Sequence, residues 1–277
     1  MTNGPIKVTT DCSIFSSYPN NAEASLLVNG QYSQTLRCTS DQPQTFSLAV
    51  ERGSIIDIVS GTRIRLTPES PVTGNTIENV SGSALAAPEP VKPLVVVYGD
   101  SISCGFGTDI PSRDAWTVLL RTHYETGVEA WGARQLTSDY AAGLNNLISY
   151  FASYGNPATI WLAIGVNDFF AGVNPAQFQG EYASLLDSIH SNFPSVHIFA
   201  QTPLVLANEA PNASGGTLAQ FRSAISTVCN SRSYCHLVDG ALILSPADLS
   251  SDGVHPTTQG NAKYEAYVSN VLQTDLR

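Results

Sequence analysis
Ser101, Asp252 and His255 are the residues whose types and spacing point most directly at chemistry. Ser101 lies in Gly99-Asp100-Ser101-Ile102-Ser103-Cys104-Gly105, directly after an apolar run, and His255 lies in Asp252-Gly253-Val254-His255-Pro256 near the C-terminus. A serine hydroxyl becomes a nucleophile at neutral pH only beside a base. His255 can take the Ser101 proton through one ring nitrogen, while Asp252 on the same loop fixes the other nitrogen in the right tautomer. Gly132 follows a second apolar run, and Gly165-Val166-Asn167-Asp168 follows a third. Acyl transfer creates an oxyanion that wants preorganised donors. The N–H of Ser101, the N–H of Gly132 and the side-chain amide of Asn167 would supply three, each worth about 3 kcal/mol of barrier.

These residues converge only if strand ends bring them together. From Leu94 the pattern alternates strands and helices. Strands are expected at Leu94–Tyr98, Val128–Trp131, Thr159–Ile164, His197–Thr202 and His236–Val238. Helices are expected at Ala115–Tyr124, Asp139–Tyr154, Pro175–Asn192, Thr217–Cys229 and Thr257–Leu272. Such alternation predicts an α/β fold, a mostly parallel sheet with helices on both faces, whose ligands sit at the carboxyl ends of the strands. Residues 1–80 read instead as β structure. Ser25–Asn29, Thr45–Glu51, Ile55–Ser60 and Thr62–Thr67 are short apolar or alternating runs, punctuated by Asn29-Gly30, Arg52-Gly53 and Gly61. A small β-sandwich or jelly roll is expected there. Residues 81–93, small and proline-rich, read as a linker to a domain spanning 94–277.

GDSIS, the glycine block, GVND and DGVHP, in that order, resemble the four blocks of the SGNH (GDSL-type) hydrolases. The resemblance runs from Leu94 to the C-terminus. It implies Ser101 as nucleophile, Gly132 and Asn167 as oxyanion donors, Asp252 and His255 as the remaining pair, and a three-layer α/β/α flavodoxin-like domain. GDSISCGFG, GVNDFF and a β domain ahead of a short linker are further similar to carbohydrate esterase family two, whose members carry a jelly-roll domain and remove O-acetyl groups from xylan and related glycans. One block departs from the pattern: Trp131 stands before Gly132 where a serine is usual. A serine esterase acting on acetylated carbohydrate is thus expected, with a lipid or aryl esterase, or a non-catalytic glycan-binding protein, as the alternatives. The mechanism needs neither metal nor organic cofactor.

Other conspicuous residues have plainer readings. Asp100 is expected to hold the serine turn, and Asp168 to brace the loop that presents Asn167. His123, His190, His197 and His236 lack a nearby acid and read as structural. Cys104 reads as packing and Trp161 as core. Trp131 and Phe169 adjoin oxyanion residues and are expected to line the acyl pocket, with Phe170 as a third bulky neighbour. Rival motifs are missing: no G-x-S-x-G elbow, phosphate-binding glycine loop, G-x-G-x-x-G or H-E-x-x-H occurs.

Composition narrows the partners. The 277 residues carry 13 basic and 23 acidic side chains, and the net charge of −10 leaves no basic cluster for a nucleic acid. No apolar run approaches the ~18 residues of a membrane span. An acetylated polysaccharide or small acyl ester suits this surface, and a monomer is expected. Cys12 with Cys38, and Cys229 with Cys235, could each close a loop, leaving Cys104 single. Disulfides point to an oxidising, extracellular setting. The polar residues after Met1 carry no leader, which fits a mature secreted chain with an added methionine.

Overall fold
Eight short strands precede Leu94 in a computed structural model that describes residues 6–275, apart from 14, 17–21, 30, 50, 52–53, 55, 61–62, 66–71, 75–76, 82–91 and 155–156. They are β1 (Ile6–Thr10), β2 (Glu23–Val28), β3 (Gln31–Arg37), β4 (Gln44–Leu48), β5 (Ile56–Ser60), β6 (Arg63–Arg65), β7 (Val72–Gly74) and β8 (Ile77–Ser81). All pair antiparallel, in sheets ordered β4-β1-β8, β3-β2-β5 and β6-β7. Ile6, Val8 and Leu48 from one sheet share an apolar cluster with Ala24, Leu26 and Leu36 from another. A second, smaller cluster surrounds the Cys12–Cys38 disulfide, with Ala22 buried beside it. The residues expected to link the two regions lie mostly outside the described residues.

The second region is built on one parallel sheet. Its strands are β9 (Leu94–Gly99), β10 (Glu125–Ala130), β11 (Thr159–Ala163), β12 (His197–Gln201) and β13 (Cys235–Val238), in the order β10-β9-β11-β12-β13. Val95 to Tyr98 are buried without exception, as a parallel strand covered on both faces requires. The helices are α1 (Pro111–Asp114), α2 (Trp116–Leu119), α3 (Leu136–Tyr154), α4 (Val166–Phe170), α5 (Pro175–Asn192), α6 (Leu218–Asn230) and α7 (Thr258–Asp275). The chain leaves β9 for β10 on one side and crosses back to β11 on the other. The crevice at the carboxyl ends of β9 and β11 is therefore the switch point of the sheet.

The helix expected at Ala115–Tyr124 forms as α2 continued by a 3-10 turn, with the short α1 ahead of it. Ala115 takes an extended conformation (ψ 138°) that separates α1 from α2, and a 3-10 turn follows at Leu120–Thr122. Tertiary contacts decide this break. The Trp116 N–H donates to Asn261 Oδ1 at 3.0 Å, and the Trp116 ring stacks on Tyr264 with centroids 4.3 Å apart. The two regions meet at α1. The fully buried Glu23 carboxylate of β2 accepts from Arg37 at 2.9 Å, from the Ser112 hydroxyl at 2.9 Å and from the Ser112 N–H at 3.3 Å. Paired in this way, the charge can stay buried and ties one region to the other.

Candidate active site
Register explains why the three glycine-bearing blocks converge. Gly99 at the end of β9 lies level with Ala130 of β10 and Ala163 of β11. Ser101, Gly132 and Asn167 each follow within a few residues, at one edge of the sheet. The turn after β9 is held by Asp100, whose Oδ1 accepts the Ile102 N–H at 3.0 Å, and by the Ser101 carbonyl, which accepts from Cys104 and Phe106. Asp100 is buried, and desolvation pushes its carboxyl up to about 7, against the opposing pull of the Ile102 N–H and the Arg134 charge.

Ser101, His255 and Asp252 form one hydrogen-bonded chain. His255 Nε2 lies 2.8 Å from Ser101 Oγ, and His255 Nδ1 lies 2.7 Å from Asp252 Oδ2. The other carboxylate oxygen of Asp252 accepts from the Ser250 hydroxyl (2.8 Å), the Val254 N–H (2.9 Å) and the His255 N–H (3.0 Å). Burial alone would raise the Asp252 pKa. The bonds from the His255 backbone and ring, from Val254 and from Ser250 outweigh it and hold the carboxyl well below the usual range. An ionised Asp252 keeps the Nδ1 proton in place and leaves Nε2 free to accept from Ser101.

Asn167 sits on α4, a short helix that the sequence pattern does not signal. Gly165 begins it at φ 124°, where an added Cβ would lie 2.8 Å from the Phe178 ring. Asp168 is fully buried and accepts from the Leu136 N–H and from the Thr137 N–H and hydroxyl, all at 2.9 Å, so it locks α4 to the start of α3. Asn167 Nδ2 is buried with no hydrogen-bond partner among the described residues. A buried donor left unmatched costs about 1–3 kcal/mol, a cost a site keeps when the donor serves a bound or transient acceptor. Next to Gly132, Ala133 holds a left-handed conformation (φ 58°), strain of the kind that collects at functional turns.

Trp131 and Phe169 are not where the acyl pocket was expected. Trp131 is completely buried and Phe169 is 3% exposed, packed against Phe170 and Phe221. Adjacency in sequence put them beside the expected oxyanion donors, but their side chains are buried in the core. Phe170, half exposed, is the aromatic of this group that reaches the surface. His123, His190, His197 and His236 stay apart from the triad, and His190 and His236 are stacked on Tyr234 and Phe199.

Sequence reasoning passed over Arg134. It is fully buried with its guanidinium 3.5 Å from the Tyr98 ring and 3.8 Å from the Trp131 ring. Its Nη1 donates to the carbonyls of Glu129 (2.6 Å) and Gly99 (3.3 Å). One side chain thus bolts the ends of β9 and β10 to the turn that carries Gly132. The signal available was an arginine placed two residues after the glycine block, inside an apolar setting that would have to bury it.

The chain is similar to known proteins in sequence and in fold. A model of the GDSL-like Lipase/Acylhydrolase family matches residues 97–263. The cellulase/esterase CelE of Acetivibrio thermocellus is 26% identical over 147 residues, which is 43% of this chain and 18% of that protein, so the chain spans under a fifth of that relative's length. A family two carbohydrate esterase from Clostridium thermocellum, solved with cellohexaose, superposes with a TM-score of 0.71 at 16% identity, covering 99% of this chain and 90% of that one. An acetyl xylan esterase from the rumen bacterium Butyrivibrio proteoclasticus superposes with a TM-score of 0.70 at 13% identity, covering 99% of this chain and 88% of that one. At such identities the solved structures speak for the fold alone.

Proposed function
The chain belongs to the GDSL-like Lipase/Acylhydrolase family of carboxylic ester hydrolases, and on that premise we propose that it is a serine esterase that removes acetyl and other short acyl groups from carbohydrate esters such as acetylated xylan. The observation that carries this reading is the continuous Asp252–His255–Ser101 hydrogen-bond chain. Ser101 Oγ attacks the ester carbonyl as His255 Nε2 takes its proton. The tetrahedral oxyanion is received by the N–H groups of Ser101 and Gly132 and by Asn167 Nδ2. Collapse breaks the bond to the sugar oxygen, which takes the proton from His255 and leaves as the free hydroxyl, and an acyl group stays on Ser101. Water, deprotonated by the same His255, attacks that acyl group and releases the carboxylic acid.

Short acyl groups are favoured by the packing next to the oxyanion donors. Trp131 and Phe169, the bulky neighbours of Gly132 and Asn167 in the chain, are packed into the core. Carbohydrate as the alcohol half follows from the acidic surface and from the likeness to carbohydrate esterases. Residues 1–80 complete the proposal as a small, jelly-roll-like β-sandwich joined through 81–93 to the catalytic domain at 94–277, in a secreted monomer. The two disulfides, Cys12–Cys38 and Cys229–Cys235, favour the extracellular setting.

Hydrolysis of p-nitrophenyl acetate by the wild type and by Ser101→Ala tests the chemistry. Release of acetate from acetylated xylan and glucomannan tests the substrate. Loss of at least about three decades of kcat in Ser101→Ala is expected. Equal, measurable rates in both proteins would remove Ser101 as nucleophile, no hydrolysis by either would leave a glycan-binding protein, and activity only on long-chain esters would install a lipid esterase.

A further inference from the structure
The triad is held at its edges by hydrogen bonds, but something must also hold the flat face of the imidazole. Asp252 and Ser101 bond to the two ring nitrogens and leave the ring free to tilt about the line joining them. The Phe106 ring lies against the imidazole, with its centroid 5.5 Å from that of His255 and the planes inclined by 31°. Phe106 also packs against the cluster of Cys12, Ala22 and Cys38, as does Phe15. We propose that Phe106 is a positioning residue for His255, and that the disulfide-closed β cluster behind it makes the N-terminal region a working part of the catalytic site. This inference rests on His255 acting as the base.

The backbone around Phe106 supports that role. The Phe106 N–H donates to the Ser101 carbonyl at 3.1 Å, so the ring is carried by the nucleophile's own turn. Gly107, at φ 87°, lets the chain run flat against the base: an added Cβ there would lie 2.8 Å from His255 Cβ and 2.7 Å from the Pro256 carbonyl oxygen. Two residues on, the Asp109 N–H donates to Thr258 Oγ1 at 3.0 Å. The segment from Gly105 to Asp109 is therefore fastened to the serine turn at one end and to the start of α7 at the other. Phe106 sits between, with the Cys12–Cys38 disulfide as its backstop. The disulfide joins positions 26 residues apart, closing the chain that would otherwise be free to move away from the ring.

A side chain that positions the base changes the chemical step, whereas one that stacks on a sugar changes binding. A misplacement of about 1 Å in a catalytic group costs on the order of a hundredfold in rate. Phe106→Ala should therefore lower kcat for p-nitrophenyl acetate by about ten- to a hundredfold, with KM changed by less than about threefold. Phe106→Tyr, which keeps the flat ring, should restore kcat to within about threefold of wild type, and Phe106→Leu should fall between. Cys12→Ser/Cys38→Ser should reproduce the kcat loss, while Cys229→Ser/Cys235→Ser, at the disulfide that joins the end of α6 to the start of β13, should not. Combining Phe106→Ala with Cys12→Ser/Cys38→Ser should cost no more than the larger single effect, because both act through one contact. Thermal unfolding of each variant shows whether the fold persists. With Ser101→Ala inactive, a Phe106→Ala enzyme at full kcat, or one altered only in KM, overturns the proposal. A Ser101→Ala enzyme as active as wild type overturns the reading of the triad itself and this inference with it.

Discussion

Replacing Asp100 by asparagine should make the protein's stability less sensitive to pH, and the size of the effect can be worked out. The Asp100 carboxyl is buried directly beneath the serine turn, and its pKa rises from the ordinary 3.8 to about 7 because burial disfavours the charged form. In the unfolded chain it titrates near its ordinary value. Between about pH 4 and about pH 7 the native protein therefore holds a proton that the unfolded chain has lost. Stability from this group is complete below about pH 4 and is lost as pH rises to about 7. The shift of roughly three pKa units corresponds to about 4 kcal/mol at 1.36 kcal/mol per unit. Asparagine keeps an oxygen for the Ile102 N–H and cannot ionise. Whatever fixed cost its amide adds, the stability difference between Asp100→Asn and wild type should climb in favour of the variant by about 4 kcal/mol from about pH 4 to about pH 8, then level off. Urea unfolding of both proteins with disulfides intact, at unit steps across that range, measures the difference, and all other titrating groups cancel in it. A difference independent of pH would mean that the carboxyl stays ionised in the folded protein, with Arg134 stronger than burial, and would refute the argument.

Three further outcomes follow from the site. Asn167→Ala should reduce kcat by about 10²–10³-fold with little change in KM, since the unmatched amide is read as a donor to the transition state; an unchanged kcat in steady-state assays would remove it from the oxyanion hole. Asp252→Asn should lose less kcat than His255→Ala, because the carboxylate orients the base and does not react; equal losses in correctly folded variants would contradict a purely orienting role. Across p-nitrophenyl esters from acetate to decanoate, kcat/KM should fall beyond the second or third carbon. A pocket that accepted each methylene would instead gain about 0.8 kcal/mol per step and peak at long chains.

Much of this was legible in the sequence, for physical reasons that also mark where legibility stopped. A parallel strand buried on both faces must be a continuous apolar run, so β9 and β11 were visible as Leu94–Tyr98 and Thr159–Ile164. Strand ends in such a sheet are where sites form, which made the residues after each run worth reading. β3 was invisible because Gln31 to Gln34 are exposed and Leu36 alone is buried, so it has no alternating apolar face. The break at Ala115 could not be read because it depends on Asn261, far along the chain, capturing the Trp116 N–H. Trp131 and Phe169 failed for a related reason. Neighbouring a functional residue fixes the position of a backbone and says nothing about which way the side chain points. Arg134 shows the converse, a charged residue that sequence habit leaves at the surface but that aromatic faces and carbonyls allow to be buried.

The candidate catalytic residues are not all positioned by the same physics. Ser101, Gly132 and Asn167 sit within a few residues of strand ends, and the sheet fixes their spacing through backbone hydrogen bonds in register. His255 is 154 residues from Ser101 in the chain and lies in a loop after two 3-10 turns, well beyond the end of β13. That loop braces itself. The Ser250 N–H donates to the His255 carbonyl at 2.7 Å, the Thr257 N–H to Asp248 at 2.9 Å, and Gly253 accepts from Ala207 at 2.9 Å. The first two bonds fix the loop's internal shape and the third ties it to the segment after β12, but the hydrogen-bonding distance between base and nucleophile also depends on what else the loop is pressed against. The Gly105–Asp109 segment fills that place, and behind it stands the Cys12–Cys38 cluster. The sheet alone would deliver a serine and an oxyanion hole. On the proposed role of Phe106, delivering the base to the same point takes packing from outside the sheet, and the small β region supplies it.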